Sequence, residues 1–465
     1  MIDHEATEPS RSRRGSSGWL LGWPAVVVML ALVTLSFLDR QIIALMVDPI
    51  RADLGISDFQ ISLLQGFAFG LFYTIFGLPL GWLVDRVSRR WIIYAGVTVW
   101  SLAASACGLA SSWVQLFLAR LGVGAGEAAL SPAAYSMIAD MFPPRRLAIA
   151  LAVFSTGATI GTALAVALGG WIITAIGNVD HVALPLIGDV RPWQTVFIIT
   201  GAPGVLLALA AFTLKEPTRK SRMSTPDGSA VSRAGLLAFL GARQRLFTCH
   251  FLGFGCVSMM GYAIGSWMPT YLIRHFGWPP VDVGGAIAVV LLAGAIPGGL
   301  FSGWMVDRMV AGGRTDAHFR YYGIAVFVLM AAGVGAFFTD NVWVFLALMW
   351  VAQLITPFSG VAAAALQQVT PGHLRGQVSA LYLFVFNLLG LGLGATIVAA
   401  FTDFVFRDPQ AVGYSIASTV ALLAPLSALL FLLGRTPLRE AVEAAKMWTE
   451  ELAHLTPEAA EEQRD

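Results

Sequence analysis

Charge is scarce in this chain: Asp, Glu, Lys and Arg together make up 12% of 465 residues, against roughly 25% in a soluble domain. Hydrophobic residues reach 57% and the mean hydropathy is +0.73, so water is not the main solvent. A formal net charge of +1 with no extended basic groove argues against nucleic acid as a partner. Cysteine is nearly absent. Cys107, Cys249 and Cys256 all fall inside apolar runs, which offers neither a disulfide framework nor a metal-ligand spacing. His181, His250, His275, His318 and His373 are scattered without a partner pattern. No nucleophile-base pairing or phosphate-binding glycine loop appears either, so the chain reads as no enzyme and calls for no cofactor or metal. A cleavable leader is missing as well. Residues 1–18 are polar and hold Arg11, Arg13 and Arg14, and the following apolar run exceeds a signal-peptide core, so it reads as an uncleaved first membrane helix.

What is abundant is long apolar runs. A spanning helix needs about 20 predominantly apolar residues, and twelve runs qualify: 20–47, 59–83, 91–111, 113–141, 146–175, 193–215, 246–274, 282–306, 320–339, 342–369, 376–402 and 412–434. Backbone polar groups in hydrocarbon must be paired within the segment, and the alternation of barrel strands is absent, so these are helices. Of the 29 Lys and Arg, Arg40 and Arg120 lie inside runs, and Arg51, Arg191, Arg274 and Arg407 lie in one set of alternate connections. The other 23 lie in the remaining set and in the tails. Cationic loops translocate poorly, which places both termini in the cytoplasm of a multi-pass protein. With only three Lys and abundant Ala, the source reads as bacterial and the location as the inner (cytoplasmic) membrane. A monomer in the lipid bilayer is expected.

The runs divide into two halves. The domain limits read as a tail over 1–18, a six-helix bundle over 19–215, a linker over 216–245, a second bundle over 246–434 and an amphipathic tail over 435–465. In the linker, residues 232–240 suit a short surface helix or a disordered connector equally. Gly81-Trp-Leu-Val-Asp85-Arg86 matches Gly303-Trp-Met-Val-Asp307-Arg308 at five of six positions, and Pro143-Pro144-Arg145 has a counterpart in Pro371 to Arg375. Duplication of a six-helix unit explains both.

Gly81-x-x-x-Asp85-Arg86-x-Ser88-Arg89-Arg90 resembles the signature loop of the major facilitator superfamily, with Ser88 where that family usually has Gly. Arg120-x-x-x-Gly124-x-Gly126 is similar to its second motif. The resemblance implies an all-α membrane protein, with twelve transmembrane helices in two pseudo-symmetric six-helix bundles, working by alternating access. Leu38-Asp39-Arg40, Gly126-Glu127-Ala128 and Ser266-Trp-Met-Pro-Thr-Tyr-Leu resemble the spinster-like branch, whose members move lysolipids and sphingosine phosphates.

Four ionisable residues sit where charge is costly, at about 2.5–3.5 kcal/mol each on insertion scales: Asp39, Arg40, Arg120 and Glu127. Arg120 and Glu127 are seven apart and share a helix face. In the superfamily the first, fourth, seventh and tenth helices line the central cavity, which implies that the four residues meet there. Asp39, Glu127 and Arg120 are then expected to couple transport to a proton gradient, with Arg120 changing partners during turnover; a static ion-pair cluster is the structural alternative. Arg40 and Arg120 suit a phosphate or carboxylate. Tyr262, Trp267 and Tyr271 are expected to wall an acyl chain unless they are core, and Gln353, Thr356 and Asn387 are further binding candidates. The expected cargo is an amphipathic lipid-like anion; the alternatives are a multidrug or small-metabolite exporter and, from another class, a receptor or channel. A gating latch is expected from Asp85 and Asp307, docked on helix starts of the opposite half and ringed by Arg86, Arg89, Arg90, Arg145, Arg308 and Arg375. Pro269, Pro297 and Pro357 are expected to interrupt helices 7, 8 and 10, and Thr436-Pro437 to start a separate tail helix.

Overall fold

The protein is described from a computed structural model covering residues 22–84, 86–177, 179–185, 187–217, 233–371 and 374–461. The side chains of Leu78, Pro144, Arg145, Ala148, Lys446 and all residues beyond Met447 also lie outside the description. The described residues form twelve long helical segments. The first half holds α1 (Trp23–Leu45), α2 (Asp58–Val84), α3 (Arg89–Cys107), α4 (Trp113–Glu127, resuming after a turn as Leu130–Met141), α5 (Pro144–Ile176) and α6 (Pro192–Thr213). The second half holds α7 (Gln244–Phe276), α8 (Pro280–Ala311), α9 (Ala317–Phe338), α10 (Val342–Val369), α11 (Arg375–Phe406) and α12 (Pro409–Ala445). Ten of these are long and apolar enough to cross a membrane on length and composition alone. The exceptions are α3, which opens on Arg89-Arg90, and α4, whose two pieces are each too short and which carries Arg120 and Glu127.

The end of the bundle where α1 begins is called here the near end, and the opposite one the far end. The halves meet where α2 crosses α11 and α5 crosses α8. Both crossings are tight because glycine removes the side chain that would hold the backbones apart. A Cβ on Gly66 would strike the Leu391 carbonyl, and one on Gly170 or Gly284 would strike the carbonyl of Pro280 or Val166. At the first crossing both helices widen into π-turns, Leu63–Phe67 and Leu388–Leu393, a device often found at functional sites.

Proline behaves unevenly. Pro357 ends the first part of α10 at Ile355, and the helix resumes at Ser359. Pro269 and Pro297 sit within unbroken α7 and α8, so the expected interruption occurs in one of three helices. Pro437 likewise does not begin a new helix. The last helix runs from Val412 to Glu461 without a break, and beyond the span it buries Leu438, Ala441 and Val442 against the near end. Arg435 there donates to Asp316 at the start of α9, 2.6 Å away. In the linker, Arg233–Ala242 is helical. A two-stranded hairpin, β1 (Val182–Leu184) with β2 (Gly188–Val190), lies between α5 and α6 and was not anticipated. Its turn relies on Gly188 at φ +93°. Of the tryptophans near helix ends, Trp91 and Trp343 are exposed, whereas Trp193 is buried and donates to Asp53.

Candidate functional site

The four intramembrane charges come together where α1, α2 and α4 converge, and all are buried. At Ile42–Leu45 α1 tightens into a 3-10 helix, which leaves late α-helical carbonyls available. Arg120 takes them: it donates to the carbonyls of Asp39 (3.0 Å), Arg40 (2.9 Å) and Leu64 (3.2 Å). Its hydrogen bonds therefore go to backbone rather than to a carboxylate, and it ties α4 to α1 and α2. Arg40 instead donates to Glu127 Oε2 at 2.7 Å, and Ser36 donates to the same oxygen at 2.6 Å. The Arg40 guanidinium lies over the rings of Phe69 (4.2 Å) and Phe37 (4.4 Å), a placement that favours a cation away from water.

Several polar atoms in this cluster are left without a partner. Among the described residues, the Asp39 oxygens find no well-formed hydrogen bond, with Trp100 as their neighbouring donor, and Glu127 Oε1, Arg40 Nε and both amide atoms of Gln65 are also unpaired. Native interiors satisfy nearly all such groups, so this concentration in one place makes the cluster the candidate site. Gln65 was not singled out by sequence because a glutamine in an apolar run carries no charge to flag it.

Beside the cluster, between the halves, lies a cavity of about 240 Å³. Its polar wall includes Gln41, Thr162, Ser258, Ser266, Gln353 and Thr356, and its apolar wall includes Phe37, Phe358 and Phe386. Tyr262 lines it and turns its hydroxyl toward Arg40, so the guanidinium is one side chain removed from the cavity. Thr356 donates to Gln353 Oε1 at 2.6 Å, which leaves the Gln353 amide N–H groups for another acceptor. Trp267 is fully buried and donates to the Ala395 carbonyl, and Tyr271 is buried among Phe337, Phe345 and His275. Neither lines the cavity, and Asn387 does not line it either.

At the far end a charged clasp, unmarked in the sequence, joins the halves. Arg274 of α7 donates to Asp48 (2.6 Å), to both oxygens of Asp58 (2.8 and 2.9 Å) and to the Pro409 carbonyl (2.8 Å). Arg51 adds a second cation 3.1 Å from Asp58. Asp403 of α11 accepts from the Phe59 N–H, 2.7 Å away, in the first turn of α2. A carboxylate docked on the opposite half's helix start is thus present at the far end, apart from the latch expected in the near-end loops. In those loops Asp85 and the Arg145 side chain lie outside the described residues. Arg86 and Arg308 lie over Trp82 and Trp304, Asp307 is exposed, and Arg375 donates to the Thr370 carbonyl. Arg89 binds Asp140 (2.6 Å), Ser136, Glu216 and the Pro217 carbonyl, all within the first half and the start of the linker. Burial works against ionisation of Glu216, but hydrogen bonds from Ser88, Arg89 and the Arg90 amide outweigh it and hold its carboxyl down at about 2.

Twelve helices in two halves, a cavity between them and buried charge beside it define a membrane transporter, not an enzyme. The chain belongs to the Major Facilitator Superfamily, which matches residues 29–395. It is 27% identical over 432 residues to an MFS-type efflux pump of Mycolicibacterium smegmatis, covering 91% of this chain and 95% of that one. It is 26% identical to a D-galactonate transporter of Escherichia coli O6:H1, covering 92% and 97%. In structure it is similar to a bacterial homologue of the human lysosomal transporter Spinster, in an inward-facing, unoccupied conformation. The TM-score is 0.74 at 24% identity, covering 92% of this chain and 98% of the other, a likeness of fold.

Proposed function

We propose that this transporter works by alternating access, couples to a proton gradient and carries an amphipathic organic anion of the lysophospholipid or sphingosine-phosphate kind. The observation that carries the reading is the Arg40–Glu127 pair, buried beside the cavity and next to the buried Asp39 carboxyl. A buried ion pair survives only while both partners are charged. A proton on Glu127 weakens its hold on Arg40, and the guanidinium then turns past Tyr262 to take an anion in the cavity. Cargo and Glu127 carboxylate compete for one cation, so proton and anion binding are linked and each strengthens the other. Asp39, a second buried carboxyl beside this pair, is the second proton carrier. Arg120 holds α1 and α4 in register and serves as a positioning residue. The basic near-end connections set that end in the cytoplasm, with both termini, in the inner membrane of a bacterium. The clasped far end then corresponds to an inward-facing state.

A second reading, a small organic acid as cargo, is favoured by the galactonate carrier among the relatives and by the modest cavity. Proteoliposomes separate the two: labelled lysophosphatidylglycerol and D-galactonate are offered with and without an imposed pH gradient. The cargo is expected to move faster with the gradient, and Glu127→Gln to lose that dependence while keeping counterflow. Full gradient-driven uptake by Glu127→Gln removes the coupling role from Glu127.

A further inference from the structure

A second concave site lies on the lipid-facing side of the first half, away from the transport cavity. It is a trough of about 380 Å³ between α2, α3 and α4, with walls that are almost wholly apolar: Leu83 and Phe76 from α2, Val87, Trp91 and Ala95 from the start of α3 and the loop before it, and Ala129 from α4. Trp91 and Val87 at its near-end mouth are exposed, and so is Trp82 beside them. Arg86 precedes Val87 in the chain and Arg90 precedes Trp91, so a guanidinium flanks each of the two mouth residues. Arg86 rests on the Trp82 ring at 3.6 Å, and Arg90 lies 5.9 Å from the Phe212 ring with its Nε buried and without a hydrogen-bond partner. Among the described residues, neither guanidinium is paired with a carboxylate. The nearby Glu216 is held by Ser88 and by the side chain of Arg89, and it meets Arg90 through the backbone amide.

We propose that this trough is a binding site for an anionic diacyl phospholipid of the surrounding leaflet. One acyl chain fills the trough, and the phosphodiester is held between Arg86 and Arg90. The chemistry selects this occupant. A zwitterionic lipid brings its own cation to two unpaired guanidinium groups, whereas an anionic one neutralises them. The tryptophans at the mouth sit where an indole favours the headgroup boundary. The site has a route to the transport machinery, because the floor of the trough is Ala125, Gly126 and Ala129, which bracket Glu127 on α4. Gly126 there is pressed against the α3 backbone at Trp100, so a chain wedged between α3 and α4 bears on the turn that positions Glu127.

The test uses the full-length protein in detergent, stripped of lipid and then titrated with dioleoyl phosphatidylglycerol or dioleoyl phosphatidylcholine. Bound lipids are counted by native mass spectrometry. With about 1 kcal/mol from each of two arginines, the preference for the anionic lipid is roughly 30-fold. Arg86→Gln with Arg90→Gln is expected to abolish the preference, and Arg86→Lys with Arg90→Lys to keep most of it. Ala95→Trp, a change at an exposed position, is expected to fill the trough and lose the tightest adduct of either lipid. Equal binding of the two lipids by the unaltered protein overturns the proposal, as does an undiminished preference in the double glutamine variant. None of these readouts depends on the cargo or on proton coupling.

Discussion

Arg274 offers the sharpest test of how the two halves are held. Replacing it with Ala removes the hydrogen bonds to Asp48 and to both oxygens of Asp58, which cross between the halves, and leaves Asp58, whose side chain is fully buried, facing only Arg51. Breaking a buried pair by removing one partner costs about 3–5 kcal/mol. Asp48 is partly exposed and regains water, and Arg51 stays within 3.1 Å of Asp58, so the lower end applies. About 3 kcal/mol changes the ratio of closed to open far ends on the order of 100-fold, enough to bring a 99:1 population near parity. Spin labels at Val179→Cys and Asp340→Cys, one on each half at the far end, read the gap by pulsed electron resonance. The native Cys107, Cys249 and Cys256 are buried and leave the background low. The unaltered protein is expected to show one short distance, and Arg274→Ala a second, longer one of comparable weight. Arg274→Lys should fall between, since an ammonium cannot grip two carboxylates as a planar fork does. An unchanged distance distribution in Arg274→Ala refutes the assignment of the clasp as what keeps this end shut.

Gly66→Ala and Gly284→Ala should push the same labels apart, because each new methyl meets a carbonyl of the opposite half, an overpacking cost of about 1–3 kcal/mol; identical distances would mean that the crossings have slack. Asp403→Asn, which weakens the cap on the α2 start, should lengthen the distance less than Arg274→Ala does, by about 1 kcal/mol of population. Glu216 gives a pH signature. Its carboxyl is held down at about 2 from an ordinary 4.5, so its contribution to stability is complete above pH 4.5 and is lost as pH falls toward 2. The Tm difference between the unaltered protein and Glu216→Gln should therefore be constant from pH 7 to about 4.5 and shrink below it. A difference that persists at pH 3 would show that the carboxylate charge is not what staples α3 to the end of α6.

The helices and the two halves were legible because hydrocarbon leaves a backbone few options. Twelve apolar runs and a repeated Gly-Trp-x-Val-Asp-Arg segment state the architecture locally, without reference to any distant residue. The cluster was legible for a related reason: Asp39, Arg40, Arg120 and Glu127 are conspicuous simply by being charged inside such runs. Which of them pair was a tertiary decision. Arg40 rather than Arg120 holds Glu127, because the tightening of α1 presents carbonyls to Arg120 and α4 brings Glu127 over Ser36 and Arg40. Asp48, Asp58, Arg274 and Asp403 read as ordinary loop and helix-end charges, because their partners lie more than two hundred residues away in the chain. Polar and charged side chains at helix ends can satisfy themselves with water anywhere on the surface. Only the docking of one half on the other, across glycines that let α2 meet α11 and α5 meet α8, brings them together as a clasp.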